Sequence, residues 1–256
     1  MHNYEGLKNG IKSQLGIDLH SYKEQQMRRR INQWLDRHSL KSYNQLLDVL
    51  RSDEEHRAKF LQYLTINTSN FFRDSSVFTN IEKQVLPAIS THNRPKIWSA
   101  GASFGAEIYS IAMLLAEYNY FPQLLLATDI DEAMLEQGRN GIFQPSQLTG
   151  LTQKYLEKYF TDLGDGRMAI SEELKRRIVF QQHDLLKDPY QTGFDLILCR
   201  NVFIYFTSET QKRLTARFVQ SLKPGGYFIV GSAEQIVDPA SFQLDRVSYC
   251  IYQKKL

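Results

Sequence analysis

WSAGASFGAEIYS, Trp98 to Ser110, decides the fold. Its first residues end the apolar run Lys96–Ala100, and a helical pattern starts at Gly105. Between them stand Gly101, Ala102, Ser103 and Phe104. Small residues between a strand and a helix let a ligand approach the backbone. Further strand candidates follow at 124–130, 177–182, 194–199 and 226–233, separated by helical patterns at 105–118, 131–140 and 208–222. Such alternation predicts an α/β fold with a parallel sheet covered on both faces. Pro224-Gly225-Gly226 reads as the turn before the fifth strand. SYCIYQK (248–254) reads as a last, antiparallel edge strand.

The chain before residue 75 has a different pattern. From Tyr22 to Arg37, Met27, Ile31, Trp34 and Leu35 share one helical face, and Arg29, Arg30 and Arg37 lie opposite. Helices at about 43–51, after the N-cap candidate Ser42, and at about 53–65 complete a helical domain. Six basic and two acidic residues lie between Lys23 and Lys41, whereas the whole chain carries only +3. A local surplus of this kind fits an acidic partner, or simply a solvated helix face. The stretch lacks the interleaved aromatics of a base-stacking surface, so no nucleic acid is expected.

Composition narrows the class. No apolar run approaches the roughly 20 residues needed to cross a bilayer, so no membrane insertion is expected. The N-terminus lacks a signal-peptide core. The two cysteines, Cys199 and Cys250, lie in apolar runs and read as buried thiols of a reduced, cytoplasmic protein. No metal-ligand spacing appears, and no metal is expected. The connection 142–173 is too long for a plain loop and carries Asp165-Gly166 between strand-like flanks, the mark of a small hairpin. Asp129, at the end of the second strand, is placed to accept the two ribose hydroxyls of an adenosine. The glycines are spaced GxxxG, which does not support a pyrophosphate cradle.

INTSNFFRD (66–74), the glycine loop, ATDIDEAMLEQGRNGIF (127–143) and CRNVFIYF (199–206) occur in that order. Together with GSAEQI (231–236), they resemble the CheR-type chemotaxis receptor methyltransferases over nearly the whole chain. The resemblance implies a Rossmann-like S-adenosylmethionine-dependent methyltransferase sheet at 76–256, with a small β-subdomain inserted at about 144–177. It also implies a helical N-terminal receptor-docking domain at 1–75. The activity implied is protein-glutamate O-methyltransfer to chemoreceptors, with S-adenosylhomocysteine as product.

The resemblance also implies roles. Asn67, Ser69 and Arg73 would reach over the cofactor, Gly101 would line its methionine half, and Glu107 would accept from its ammonium. Asp129 would take the ribose, Asp184-Leu185 would lie near the adenine, and Asn201-Val202 would complete the site. Arg73 and Tyr205 are the catalytic candidates. Arg28, Arg29, Arg30 and Arg37 would dock a monomeric enzyme onto the receptor's cytoplasmic helical bundle. The chain departs from the family pattern at Phe104 (usually Thr), Ala106 (usually Glu) and Asp184 (usually Asn). These departures motivate the alternative of a non-catalytic cofactor- or receptor-binding module.

Overall fold

The computed structural model describes residues 4–65, 69–90 and 94–256. The chain divides into two compact units, Met1–Asn67 with Tyr205–Gln211, and Thr68–Ile204 with Lys212–Leu256.

Among the described residues, the first unit holds the helices α1 (Tyr4–Leu15), α2 (Glu24–Arg37), α3 (Tyr43–Ser52) and α4 (Glu54–Thr65). The apolar face of α2 is buried through Met27, Ile31, Trp34 and Leu35, as its periodicity predicts. Trp34 meets Phe60 edge-on at 5.3 Å and stacks on His38 at 3.8 Å. Ser42 caps α3 by accepting from the Gln45 N–H, which satisfies one of the donors a helix start leaves open. The segment 205–211 is bound to this unit by backbone. Lys23 N–H donates to the Tyr205 carbonyl at 2.8 Å, Thr207 N–H donates to Ser21, and Tyr22 pairs with Phe206.

The second unit begins with α5 (Ser75–Asn80), a single π turn (Ile81–Val85) and α6 (Leu86–Ser90). Its main sheet joins β1 (Lys96–Ala100), β2 (Leu124–Asp129), β6 (Ile178–Gln182), β7 (Phe194–Cys199), β8 (Leu222–Val230), β9 (Leu244–Ser248) and β10 (Ile251–Lys254). The order is β6-β2-β1-β7-β8-β10-β9. The first five strands are parallel, and β10 runs antiparallel to both β8 and β9. β7 is buried at every residue, as expected of a strand covered on both faces. The order reverses between β1 and β7, so the ligand crevice belongs at their carboxyl ends. Helix α7 (Ala106–Glu117) follows β1, α8 (Glu132–Asn140) follows β2, and α11 (Ser208–Ser221) precedes β8.

The remaining strands, β3 (Ile142–Phe143), β4 (Phe160–Asp162) and β5 (Met168–Ile170), form a separate antiparallel sheet in the order β3-β5-β4. The expected hairpin is therefore present, turning through Asp165-Gly166, with a third strand beside it. Helix α9 (Gln153–Tyr159) precedes β4, and the single turn α10 (Glu172–Lys175) follows β5. Two expectations change. The fifth parallel strand starts at Leu222, and Pro224–Gly226 lies inside it where its register against β7 shifts. The tail strand β10 is not the edge, because β9 covers it.

Glu117, at the end of α7, ties the inserted subdomain to the sheet unit. It accepts from Lys154 and Lys158, each at 2.6 Å, and from the Tyr159 hydroxyl at 2.7 Å. These donors hold its carboxyl down at about 2. A depressed acid adds stability above its unfolded value near 4.5 and loses it as pH falls toward 2. Both lysines are more than half exposed, so the effect is modest. Glu117→Gln is expected to cost roughly 1 kcal/mol at pH 7 and to speed amide exchange across 153–170. The difference from wild type should shrink between pH 4 and 2. Equal exchange rates at pH 7 would show that the cluster does not hold the subdomain.

Candidate functional site

At the carboxyl edge of the parallel sheet, the chain turns sharply after β1. Gly101 takes φ +75°, and an added Cβ would lie 2.5 Å from Val202 Cγ2. Only glycine combines that conformation with that approach. The Gly101 and Ala102 N–H groups both donate to the Thr128 carbonyl, at 2.8 and 2.9 Å, which ties the loop to the end of β2. Gly101 and Val202, separate in sequence, are thus in contact.

Two carboxylates flank this loop, Asp129 at the end of β2 and Glu107 in the first turn of α7. Asp129, 8% exposed, accepts from Ser103 N–H (2.7 Å, Oδ2) and Asp131 N–H (3.0 Å, Oδ1). Burial pushes its carboxyl up, against those bonds. Each carboxylate oxygen can accept more than one donor, so both could still take the hydroxyls of a vicinal diol. Glu107, in the first turn of α7, accepts from the Ser99 hydroxyl at 2.7 Å and from Arg200 at 3.1 Å.

Arg200 was not singled out from the sequence, and it organises the site. It follows β7, and its side chain is 2% exposed. Besides Glu107 it donates to the Arg73 carbonyl (2.8 Å) and to Asp74 Oδ2 (2.9 Å). Ser232 donates to the same Asp74 oxygen. The segment bearing Arg73 is thereby fixed against the ends of β7 and β8. Its backbone is folded tightly, with φ +49° at Phe72 and +61° at Asp74. Phe71 packs edge-on against Phe143 and Phe160 of the small sheet, and Phe72 stacks on Tyr155 at 4.8 Å. Arg73 and Ser69 are both half-buried. Asn67 lies outside the described residues.

Glu234, also missed, is 5% exposed. It accepts from the N–H groups of Gly231, Asn201 and Ile204 at 2.6–3.1 Å. Asn201 is held in the left-handed region (φ +61°), next to Val202. Burial raises the Glu234 carboxyl, and its backbone donors oppose the rise. Both residues sit in motifs already noted, CRNVFIYF and GSAEQI. For Arg200 the available signal was a charge placed directly after a strand buried at every residue.

Past β6, Asp184 Oδ1 accepts from Leu186 N–H at 2.8 Å, and Leu185 is buried. The departures have physical places. Phe104 is buried and packs toward Phe143 at 5.8 Å, and Ala106 is buried at the start of α7.

The structure thus brings Gly101, Glu107, Asp129, Asn201 and Val202 to one edge of the sheet, with Asp184-Leu185 at the end of β6 and Arg73 fixed through Arg200. Tyr205 and the basic residues of α2 belong to the other unit. There Arg28, Arg29 and Arg37 are exposed. Arg30 differs from the expected solvated face: it is half-buried, donates to the Tyr63 carbonyl and lies 4.6 Å over the Tyr63 ring. Burial lowers its pKa. Among the described residues no cluster of metal-ligating side chains occurs, and no helix is long and apolar enough to cross a membrane.

Comparison with known proteins matches both units. The family model "CheR methyltransferase, SAM binding domain" covers residues 67–250, and "CheR methyltransferase, all-alpha domain" covers 2–65. A chemotaxis protein methyltransferase of Listeria monocytogenes is 36% identical over 95% of this chain and 94% of its own. One of Vibrio parahaemolyticus is 36% identical over 91% and 89%, and one of Pseudomonas putida is 30% identical over 99% and 98%. With both family domains present in order and near full-length identity of this level, the chain belongs to the CheR methyltransferase family.

Proposed function

We propose that the protein methylates glutamate side chains on the cytoplasmic helical bundle of chemoreceptors, with S-adenosylmethionine as donor, for sensory adaptation in chemotaxis. The observation that carries this reading is the carboxylate pair Glu107 and Asp129 around the Gly101 loop, in a chain of this family. The residues fit the cofactor. Gly101 admits a close approach, Glu107 is a half-buried acceptor for an ammonium, and Asp129 can take a ribose diol.

When bound, S-adenosylmethionine supplies an electrophilic methyl group on a sulfonium. The acceptor carboxylate, with an ordinary pKa of about 4.3, is ionised at neutral pH. The chain therefore needs no general base. Its task is in-line placement of the attacking oxygen and exclusion of water. Opposite charges partly cancel on the way to the transition state, so a strong cation on the acceptor would stabilise the ground state more. Arg73 is accordingly a positioner or a partner for the cofactor carboxylate. Tyr205 orients the attacking oxygen by a neutral hydrogen bond.

The product is an ester, so labelled methyl should leave the protein as methanol in mild alkali. Transfer that resists alkali would overturn the reading. Tyr205→Phe should lower kcat roughly 10-fold or more with little change in S-adenosylhomocysteine affinity. Full kcat would reduce Tyr205 to packing.

Exposed Arg29 and Arg37 supply the docking charge, whereas Arg30 is committed to Tyr63. Arg29→Glu with Arg37→Glu is expected to raise KM for receptor by roughly 3- to 10-fold at low salt. The change should fade at high salt, and cofactor binding should be spared. An unchanged KM at low salt would mean that these charges only keep the surface solvated.

A further inference from the structure

The loop after β6 is held by a residue that lies far from it in sequence. Arg217, on α11, donates to the Leu185 carbonyl at 2.6 Å and also to the Asp188 carbonyl. Its guanidinium lies 3.9 Å from the centre of the Tyr190 ring. The Tyr190 hydroxyl donates to the same Leu185 carbonyl at 2.9 Å. The ring itself is wedged edge-on against Trp98 at 5.0 Å, in the core of the sheet. A planar fork with several donors can bridge two carbonyls and stack at once, and an ammonium cannot.

The side chain of Asp184 is engaged within its own loop, where Oδ2 also pairs with Lys187 at 3.4 Å. It accepts from Leu186 N–H, while Asp184 N–H donates to Asp188 Oδ2 at 2.8 Å. An asparagine at 184 would keep the same Oδ1 acceptor and lose only the ion pair to the half-exposed Lys187, so the departure at this position leaves the hydrogen bond that shapes the turn in place. What shapes the loop is the pair of carbonyls at 185 and 188 and the cation that gathers them.

We infer that Arg217 is a positioning residue for the adenosine half of the cofactor, because it fixes the backbone of the 184–188 loop from α11, and that the side chain of residue 184 does not read the base. This rests on the proposed cofactor site.

Calorimetric titration of the full chain with S-adenosylhomocysteine tests it, with the inosine counterpart as a second ligand. Loss of hydrogen bonds from a charged donor should make Arg217→Met raise Kd at least about tenfold. The preference for adenosine over inosine should narrow in step, a ratio that a smaller folded fraction would not alter. Arg217→Lys should fall between the two, and Asp184→Asn should stay within about twofold of wild type.

Wild-type affinity and selectivity in Arg217→Met would overturn the inference, as would a tenfold change in Asp184→Asn. Should Arg217→Met not fold, Tyr190→Phe keeps the stacked ring and removes one Leu185 bond. It should raise Kd roughly 2- to 5-fold, and no change there would also overturn the inference. Failure of the wild-type chain to bind either ligand would instead remove the proposed function.

Discussion

Arg200→Met is expected to cost about 3–5 kcal/mol of stability, the scale for breaking a buried ion pair by removing one partner. The Arg200 side chain is 2% exposed and serves Glu107, Asp74 and the Arg73 carbonyl together. Its removal leaves two carboxylates without their cation and frees the segment that carries Arg73. Domains of this kind hold only about 5–15 kcal/mol in all, so the loss should be plain in urea unfolding. Methyl transfer should fall further than the folded fraction does, because Arg73 and Glu107 lose their placement. Arg200→Lys should recover part of the stability and less of the activity, since a point charge cannot serve three acceptors. Stability within 1 kcal/mol of wild type would show that the three contacts are incidental.

Asp129→Ala should weaken S-adenosylhomocysteine binding by roughly 1.5–3 kcal/mol, the worth of hydrogen bonds to a charged acceptor. The glycine loop should loosen as well, because Ser103 N–H and Asp131 N–H lose their acceptor. The pH dependence follows from burial, which raises the Asp129 pKa above its ordinary 3.8. An acid raised on folding keeps its proton longer in the native state. Its ionisation therefore lowers the stability of the cofactor-free chain as pH climbs from the ordinary value through the raised one. Donors from a ribose favour the ionised form, so affinity should rise over that same window and fall on acidification. The trend should vanish in Asp129→Asn. Titration calorimetry between pH 4 and 8 checks both statements, and wild-type affinity in Asp129→Ala would remove this residue from the site.

The sheet was legible because its strands are short apolar runs between helical periods, and β7 shows why: every residue is buried and every residue but Asp195 is apolar. β9 was not legible. LDRVS buries only its first residue, so an edge strand solvated on most of its length shows no period. β3 has two residues, too few for any pattern. The turn signal at Pro224-Gly225-Gly226 misled in a different way, since a register shift accommodates it within a continuous strand.

The site divides along the same line. Gly101 and Asp129 could be read because their positions follow from strand ends. Arg200, Glu234 and Arg217 could not be read, because their partners lie in distant stretches of the chain that only the fold brings to them. Phe104 looked like an obstacle to cofactor in the linear pattern. In three dimensions its ring belongs to the core with Phe143.

Methyl mapping on isolated chemoreceptor membranes tests the central claim most directly. After incubation with the protein and labelled S-adenosylmethionine, peptide mass spectrometry should find alkali-labile methyl groups on glutamates of the receptors' cytoplasmic helices, and Asp129→Ala should abolish most of the signal. S-adenosylhomocysteine binding with no methyl on any receptor glutamate would contradict the account and leave a binding module in its place.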